Sequence, residues 1–498
     1  MQAERYLAAA DLGTSKIALS VAKIEGDDIQ IIYYKETPSD GIRYSCVFNP
    51  VRAAVPLKKA IEEAQKELNI KILQVAVGLP RYEIRQEAAS AALDRTDPHS
   101  CITKEEVDHL KSQAMDSYPI AEDAREEIYG AVAQSFSADE DLVCASENDV
   151  VGTTADKLQG NFKVFIGAQK AVDNIDIMLN NVGVAPAYKF FVPNCIAHAI
   201  LSENEKENGV ALLEIGAGVS SVTIYRGKIL RHYSSIPFGG KNITDDIKYE
   251  CGFTQSLAEN IKLAFGAAMP DKLQSLSEKI IQINDNETGS YERLPVKYLS
   301  EIITCRAKEI ISALLYQIQE SGYADKLRNG VVVTGGGANL VNIANLIKDM
   351  SGYSVRVGYP RAQAFSAGGC LGTNETSAVA SIGMILEARK NPILNCIEEK
   401  PVQQEDVNAV SGQNTEAEES ARQAEVPQSE NEQPKTLFEA DPNYNAEIVR
   451  PHKDAKKKKE KSAKITWTTI FAKKIGDLAE QTFDSTVGGL FDNMNNEQ

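Results

Sequence analysis

The chain has 498 residues, 43% of them hydrophobic, and a formal net charge of −17. That length accommodates two or more domains with their own cores, and the acidic balance argues against a general nucleic-acid binder. No apolar run approaches the roughly 18 residues that a membrane-spanning helix needs, and the start, MQAERYLAAADLG, lacks a basic region leading into an apolar stretch, so a cytoplasmic protein is expected. Eight cysteines are scattered without a C-x-x-C pair, and the five histidines do not cluster with them, a pattern of buried thiols rather than of a disulfide framework or zinc site.

Through residue 395, strand-like apolar runs alternate with helical patterns such as PLKKAIEEAQKEL, which favours α/β architecture. The first notable stretch, AAADLGTSKIALSVAKIEG (8–26), reads as an apolar strand carrying Asp11, a tight turn at Gly13 and a returning strand, with Thr14, Ser15 and Lys16 at the turn. Backbone N–H groups and hydroxyls in such a turn suit a phosphate, and Lys16 adds positive charge. By itself such a hairpin is far more often an ordinary β-turn. VALLEIGAGVSSVTIYRGKIL (210–230) repeats the design with Glu214, Gly216, Gly218 and Ser220, which suggests two related domains facing one ligand. In GVVVTGGGANLVNIANLI (330–347) a buried strand, then Gly335, Gly336 and Gly337, then a helix would let the backbone approach a flat group such as adenine.

Together the three stretches resemble the phosphate-1, phosphate-2 and adenosine motifs of the actin/Hsp70/sugar-kinase superfamily. The stretch IPFGGKNITDDIKYECGFTQSLAENIKLAFGAA (236–268) is similar to FtsA, the bacterial cell-division actin homologue. The resemblance implies a two-lobed fold of duplicated ribonuclease-H-like domains, with ATP and Mg²⁺ in the cleft. Asp11, Gly13, Thr14, Ser15 and Lys16 would hold phosphates from one side, and Glu214, Gly216, Gly218 and Ser220 from the other, Glu214 through a metal-bound water. Glu259 and Lys262 would lie at the ribose, Gly335, Gly336 and Gly337 at the adenine, and Gly240 would also border the nucleotide. It further implies a first subdomain (1A) over 1–82 and 173–208, an inserted 1C subdomain over 83–172 and a second lobe over 209–395. Two departures bear on hydrolysis. Glu214 stands where the family has Asp, and Val192-Pro193 where it has Glu-Pro, so the enzyme reading is at most a slow ATPase.

The function implied is an actin-like protein that self-associates, ties FtsZ filaments to the cytoplasmic membrane at the division site and helps assemble the septal machinery. In YLSEIITCRAKEIISALL, Arg306 matches an arginine facing the FtsZ C-terminal peptide, although pairing with Glu309 is the alternative. A PilM-like pilus-assembly protein and a small-molecule kinase share the fold and remain alternatives. An Hsp70-type chaperone would need a β-rich domain after residue 390 that the composition cannot supply.

From about Ile397 the chain is rich in Glu, Gln, Ser, Asn and Pro, and 396–455 reads as a disordered acidic linker. Residues 456–498 hold a lysine cluster followed by an amphipathic stretch. There Trp467, Ile470, Phe471, Ile475 and Leu478 share one arc at about 100° per residue, which suits the surface of an anionic membrane.

Overall fold

The run RYLAAADL forms strand β1 (Arg5–Leu12), buried over its last six residues, as befits an apolar run inside a sheet. The chain turns at Gly13 into β2 (Lys16–Glu25), antiparallel to it, and continues into β3 (Asp28–Pro38). A short hairpin of β4 (Ile42–Arg43) and β5 (Cys46–Val47) leads to α1 (Pro50–Leu68). The Asn49 side chain caps that helix by accepting from Arg52 N–H, and Asn69 closes it in the left-handed region. Strand β6 (Gln74–Gly78) then lies parallel to β1. The computed structural model describes residues 4–398, apart from 122, 140–141, 275–277 and 286–290, and also the strand Tyr444–Val449.

Between β6 and the rest of the first sheet lies an insertion: β7 (Arg85–Asp94), α2 (Lys104–Asp116), β8 (Glu126–Ala138), β9 (Leu142–Cys144), α3 (Glu147–Val150) and β10 (Lys157–Ala168). Its strands form a separate antiparallel sheet, β7-β10-β8-β9, with its own core around Leu110, Phe136 and Phe162. The chain returns through α4 (Gln169–Val182) to β11 (Ala185–Phe190), completing the first sheet in the order β11-β6-β1-β2-β3.

Helices α5 (Val192–Ile200) and α6 (Glu203–Asn208) connect to the second sheet. There β12 (Val210–Ile215), β13 (Ser220–Arg226) and β14 (Ile229–Ile236) form an antiparallel meander. Next come α7 (Gly240–Cys251), α8 (Gln255–Phe265), the hairpin β15 (Ile280–Asp285) and β16 (Tyr291–Pro295), and the long α9 (Val296–Glu320). Strand β17 (Val331–Thr334) lies parallel to β12, and after α10 (Ile343–Ser351), β18 (Val355–Val357) lies parallel to β17. The order β14-β13-β12-β17-β18 repeats that of the first sheet: a three-strand meander, then two parallel strands on the side of its first member. The two-lobed α/β architecture is therefore a duplication. Helix α11 (Val379–Ala388), apolar nearly all round and buried, packs back on α5 and β1 in the core of the first lobe.

One departure from the sequence reading is β19 (Tyr444–Val449), which lies antiparallel beside β15 and makes the sheet β16-β15-β19. Composition over 396–455 favours a linker without regular structure. The short segment YNAEIV nevertheless carries strand formers, and the edge of β15 offers unpaired backbone groups. Trp467, Ile470, Phe471, Ile475, Leu478 and the lysine cluster lie outside the described residues. No helix among the described residues is long and apolar enough to cross a membrane.

Candidate nucleotide site between the lobes

The two acid–glycine hairpins have the same geometry. Asp11, in β1, faces Ala18 across the hairpin, and Glu214, in β12, faces Ser221 at the corresponding place. A Cβ on Gly13 would sit 2.6 Å from the Lys16 carbonyl oxygen, and one on Gly216 would sit 2.6 Å from that of Val219. Each turn therefore requires glycine for the same reason, a backbone too close for a side chain. The second turn is braced from below: Gly240 N–H donates to Gly216 C=O at 2.9 Å and Lys241 N–H to Ala217 C=O at 2.8 Å. The hairpins also touch one another, because a Cβ on Gly218 would lie 2.8 Å from Thr14 Cγ2. Thr14 is itself fixed, its Oγ1 accepting from Ser45 N–H at 3.0 Å.

Between the hairpins sits a residue the sequence reading missed. Arg81, in the loop after β6, donates through Nη1 to Glu214 Oε1 at 2.6 Å and through Nη2 to Asp11 Oδ1. All three residues are buried. Tyr233 donates its hydroxyl to the Arg81 carbonyl at 2.5 Å, and its ring packs edge-on against Phe165 and Phe191. Burial works against the Arg81 charge, and Asp11 and Glu214 outweigh it, so the guanidinium is held firmly protonated. Burial also raises the Glu214 carboxyl above its ordinary value, with Arg81 pulling the other way. The only hint in the sequence is an arginine in the glycine- and proline-bearing turn GLPRYE. Its partners are 70 and 133 residues distant, so nothing local reveals the contact.

The magnesium expected from the resemblance does not fit these acids as they stand. A guanidinium already joins them and supplies the positive charge between them. Other expected residues are placed as follows. Ser15 is exposed at the turn. Lys16 is paired with Glu36, which also accepts from Tyr34 Oη at 2.5 Å and Ser377 Oγ at 3.0 Å. Burial would raise the Glu36 carboxyl, but Lys16 and these hydroxyls bring it below the usual range. Ser220 is fully buried and spends its hydroxyl on the Phe238 carbonyl at 2.8 Å. Lys262 Nζ bridges Glu259 Oε2 at 2.8 Å, Gly240 C=O at 2.9 Å and Thr244 Oγ1 at 2.8 Å, which ties α8 to the first turn of α7.

The triple glycine divides its tasks. Gly335 has φ 85°, where a Cβ would meet the Ile215 carbonyl oxygen at 2.6 Å, and a Cβ on Gly337 would strike Ile215 Cγ2 at 2.3 Å. Both press the triple-glycine loop onto the end of β12. Gly336 faces open space, with nothing within 4 Å of the position a Cβ would take. Val192 is buried against Gly78, an apolar contact at the position where the resemblance leads one to expect an acid. Arg306 forms a bidentate pair with Asp246, at 2.7 and 2.9 Å, and also reaches Glu309 at 2.6 Å, so its fork is engaged within the chain.

Two sheets of identical order, opposed acid–glycine hairpins and a glycine loop beside them make this an actin-like ATPase fold. A solved structure of the PilM–PilN type IV pilus biogenesis complex shares the fold, with a TM-score of 0.50 and 15% identity over 78% of this chain and 97% of that chain. The model of the family "Cell division protein FtsA" matches residues 211–383. FtsA of Neisseria meningitidis serogroup B is 28% identical over 362 residues, 72% of this chain and 85% of that protein. FtsA of Borreliella burgdorferi is 27% identical over 351 residues, 70% of this chain and 83% of that protein. The chain is thus an actin-like relative of the FtsA cell-division proteins.

Proposed function

We propose that this protein is an adenine-nucleotide-binding cell-division adaptor that ties FtsZ filaments to the cytoplasmic membrane at the division site and helps assemble the septal machinery. The observation that carries the nucleotide part is the opposition of Asp11 and Glu214 at equivalent places in two duplicated hairpins, with the open face of Gly336 alongside. Similarity to FtsA across both lobes supports the division role. For the pilus reading there is likeness of fold alone.

In this reading the phosphates enter between the Gly13 and Gly216 turns, which must part slightly because Thr14 and Gly218 are in contact. Adenine lies against Gly336, and Glu259 and Lys262 border the ribose. Turnover is slow, because buried Val192 offers no carboxylate to orient an attacking water. The FtsZ C-terminal peptide docks on the subdomain spanning about 240–325, self-association builds actin-like filaments, and the segment from Trp467 to Leu478 holds the chain on anionic lipid. Titration of the full chain with a fluorescent ATP analogue tests the nucleotide part. Saturable binding displaced by ATP is expected, and no binding under any ionic condition would remove the nucleotide from the account.

A further inference from the structure

Two buried carboxylates facing each other from different lobes need positive charge, because neither can be left ionised and unpaired at acceptable cost. A divalent cation is one answer and a guanidinium is another. In this chain the guanidinium holds the position. Arg81 places one Nη on each acid, and its planar fork suits two acceptors on opposite sides. Its backbone is pinned by the buried Tyr233 hydroxyl, so the charge is built into the fold. A magnesium ion would take most of its oxygen ligands from phosphates and water and reach the protein through one or two carboxylates. The two carboxylates here are already engaged, and Glu214 is further constrained by strand pairing to Ser221.

We propose that Arg81 replaces the divalent cation in this cleft, so that the protein binds its adenine nucleotide in metal-free form. The inference rests on the nucleotide reading given above and specifies which form of the ligand the site takes. Its consequence is functional. A phosphoanhydride without a metal across its oxygens lacks the charge neutralisation that assists phosphoryl transfer. The nucleotide therefore serves as a structural ligand between the lobes, in keeping with buried Val192 where a water-orienting acid would be needed.

The test measures affinity for a fluorescent ATP analogue in excess Mg²⁺ and in EDTA, with thermal melting in parallel, for the full chain and for Arg81→Met and Arg81→Lys. Wild-type affinity should differ by less than about threefold between the two buffers, and its melting should be indifferent to Mg²⁺. Arg81→Met exposes two acids to one another. It should melt lower in EDTA, recover in Mg²⁺ and bind nucleotide about tenfold or more tightly with the metal than without. If Arg81→Met does not fold, Arg81→Lys makes the same comparison, because one ammonium satisfies a single acid and leaves the other for the ion. A wild-type affinity that collapses by about tenfold in EDTA overturns the inference, as does a variant whose melting ignores Mg²⁺. Absence of nucleotide binding in both buffers defeats the nucleotide reading instead, and the melting comparison then decides alone whether arginine stands in for a metal.

Discussion

Thr14 and Gly218 meet across the cleft: the threonine methyl lies where a Cβ on the glycine would be only 2.8 Å away. The turn at Gly13 thus closes directly on the turn at Gly216. Gly218→Ala should wedge them apart, costing about 1–3 kcal/mol as an overpacked contact does, and should disturb the Ser45 N–H to Thr14 Oγ1 bond. Thr14→Ser removes the methyl, the nearest of the three Thr14 atoms, and keeps the hydroxyl, so the double variant should recover part of the loss. A denaturation cycle with purely additive effects would show that the turns are not in contact.

The glycines of the Gly335–Gly337 loop make a second contrast. Gly336→Phe should leave thermal melting unchanged, because the position opens onto free space, while blocking nucleotide binding. Gly337→Ala should lower the melting temperature by itself, because its Cβ would strike Ile215. Nucleotide affinity unaltered in Gly336→Phe would move the adenine elsewhere.

The duplication was legible because it is written locally: an acid, a glycine two residues later and a returning strand, once around Asp11 and again around Glu214. The triple glycine was legible for the same reason, although not the division of labour between Gly335, Gly336 and Gly337. What escaped the sequence depends on contacts between distant segments. Lys16 looks like a phosphate ligand until β3 brings Glu36 to it. Ser220 looks available until the chain after β14 places the Phe238 carbonyl over its hydroxyl. Arg81 carries no periodicity at all, and its role exists only once both lobes surround it. The strand Tyr444–Val449 was hidden by the composition of its neighbours, and its partner lies far back in the chain.

His232 joins the inserted subdomain to the second lobe. Gln86 Nε2 donates to its Nδ1 at 2.8 Å, while Gln86 Oε1 accepts from Tyr233 N–H at 3.2 Å, which leaves the ring proton on a buried Nε2 without a partner. Burial, reinforced by Lys163, lowers its pKa from 6.5 to about 4. The neutral ring therefore contributes stability that is complete above pH 6.5 and is lost as pH falls toward 4. The loss, discounted for partial exposure, is on the order of 2 kcal/mol. His232→Gln keeps an acceptor for Gln86 and should flatten this part of the stability–pH profile. An unchanged profile would place the acid sensitivity elsewhere.

Arg306 works as a staple between α7 and α9. Arg306→Ala and Asp246→Ala should each lower stability modestly, with a coupling of about 0.5–1 kcal/mol for a half-exposed bidentate pair. Coupling indistinguishable from zero would free the guanidinium for an acidic peptide. Affinity for the FtsZ C-terminal peptide, measured in the same variants, then decides whether Arg306 trades its internal partner for that peptide.

Flotation of anionic vesicles with a labelled FtsZ C-terminal peptide tests whether one chain joins a division filament to a membrane. The full chain should carry the peptide to the vesicle fraction. A chain ending after Pro451 should leave both in solution while still binding nucleotide. Peptide that stays in solution while the full chain floats, or a truncated chain that floats as well as the intact one, would contradict the account.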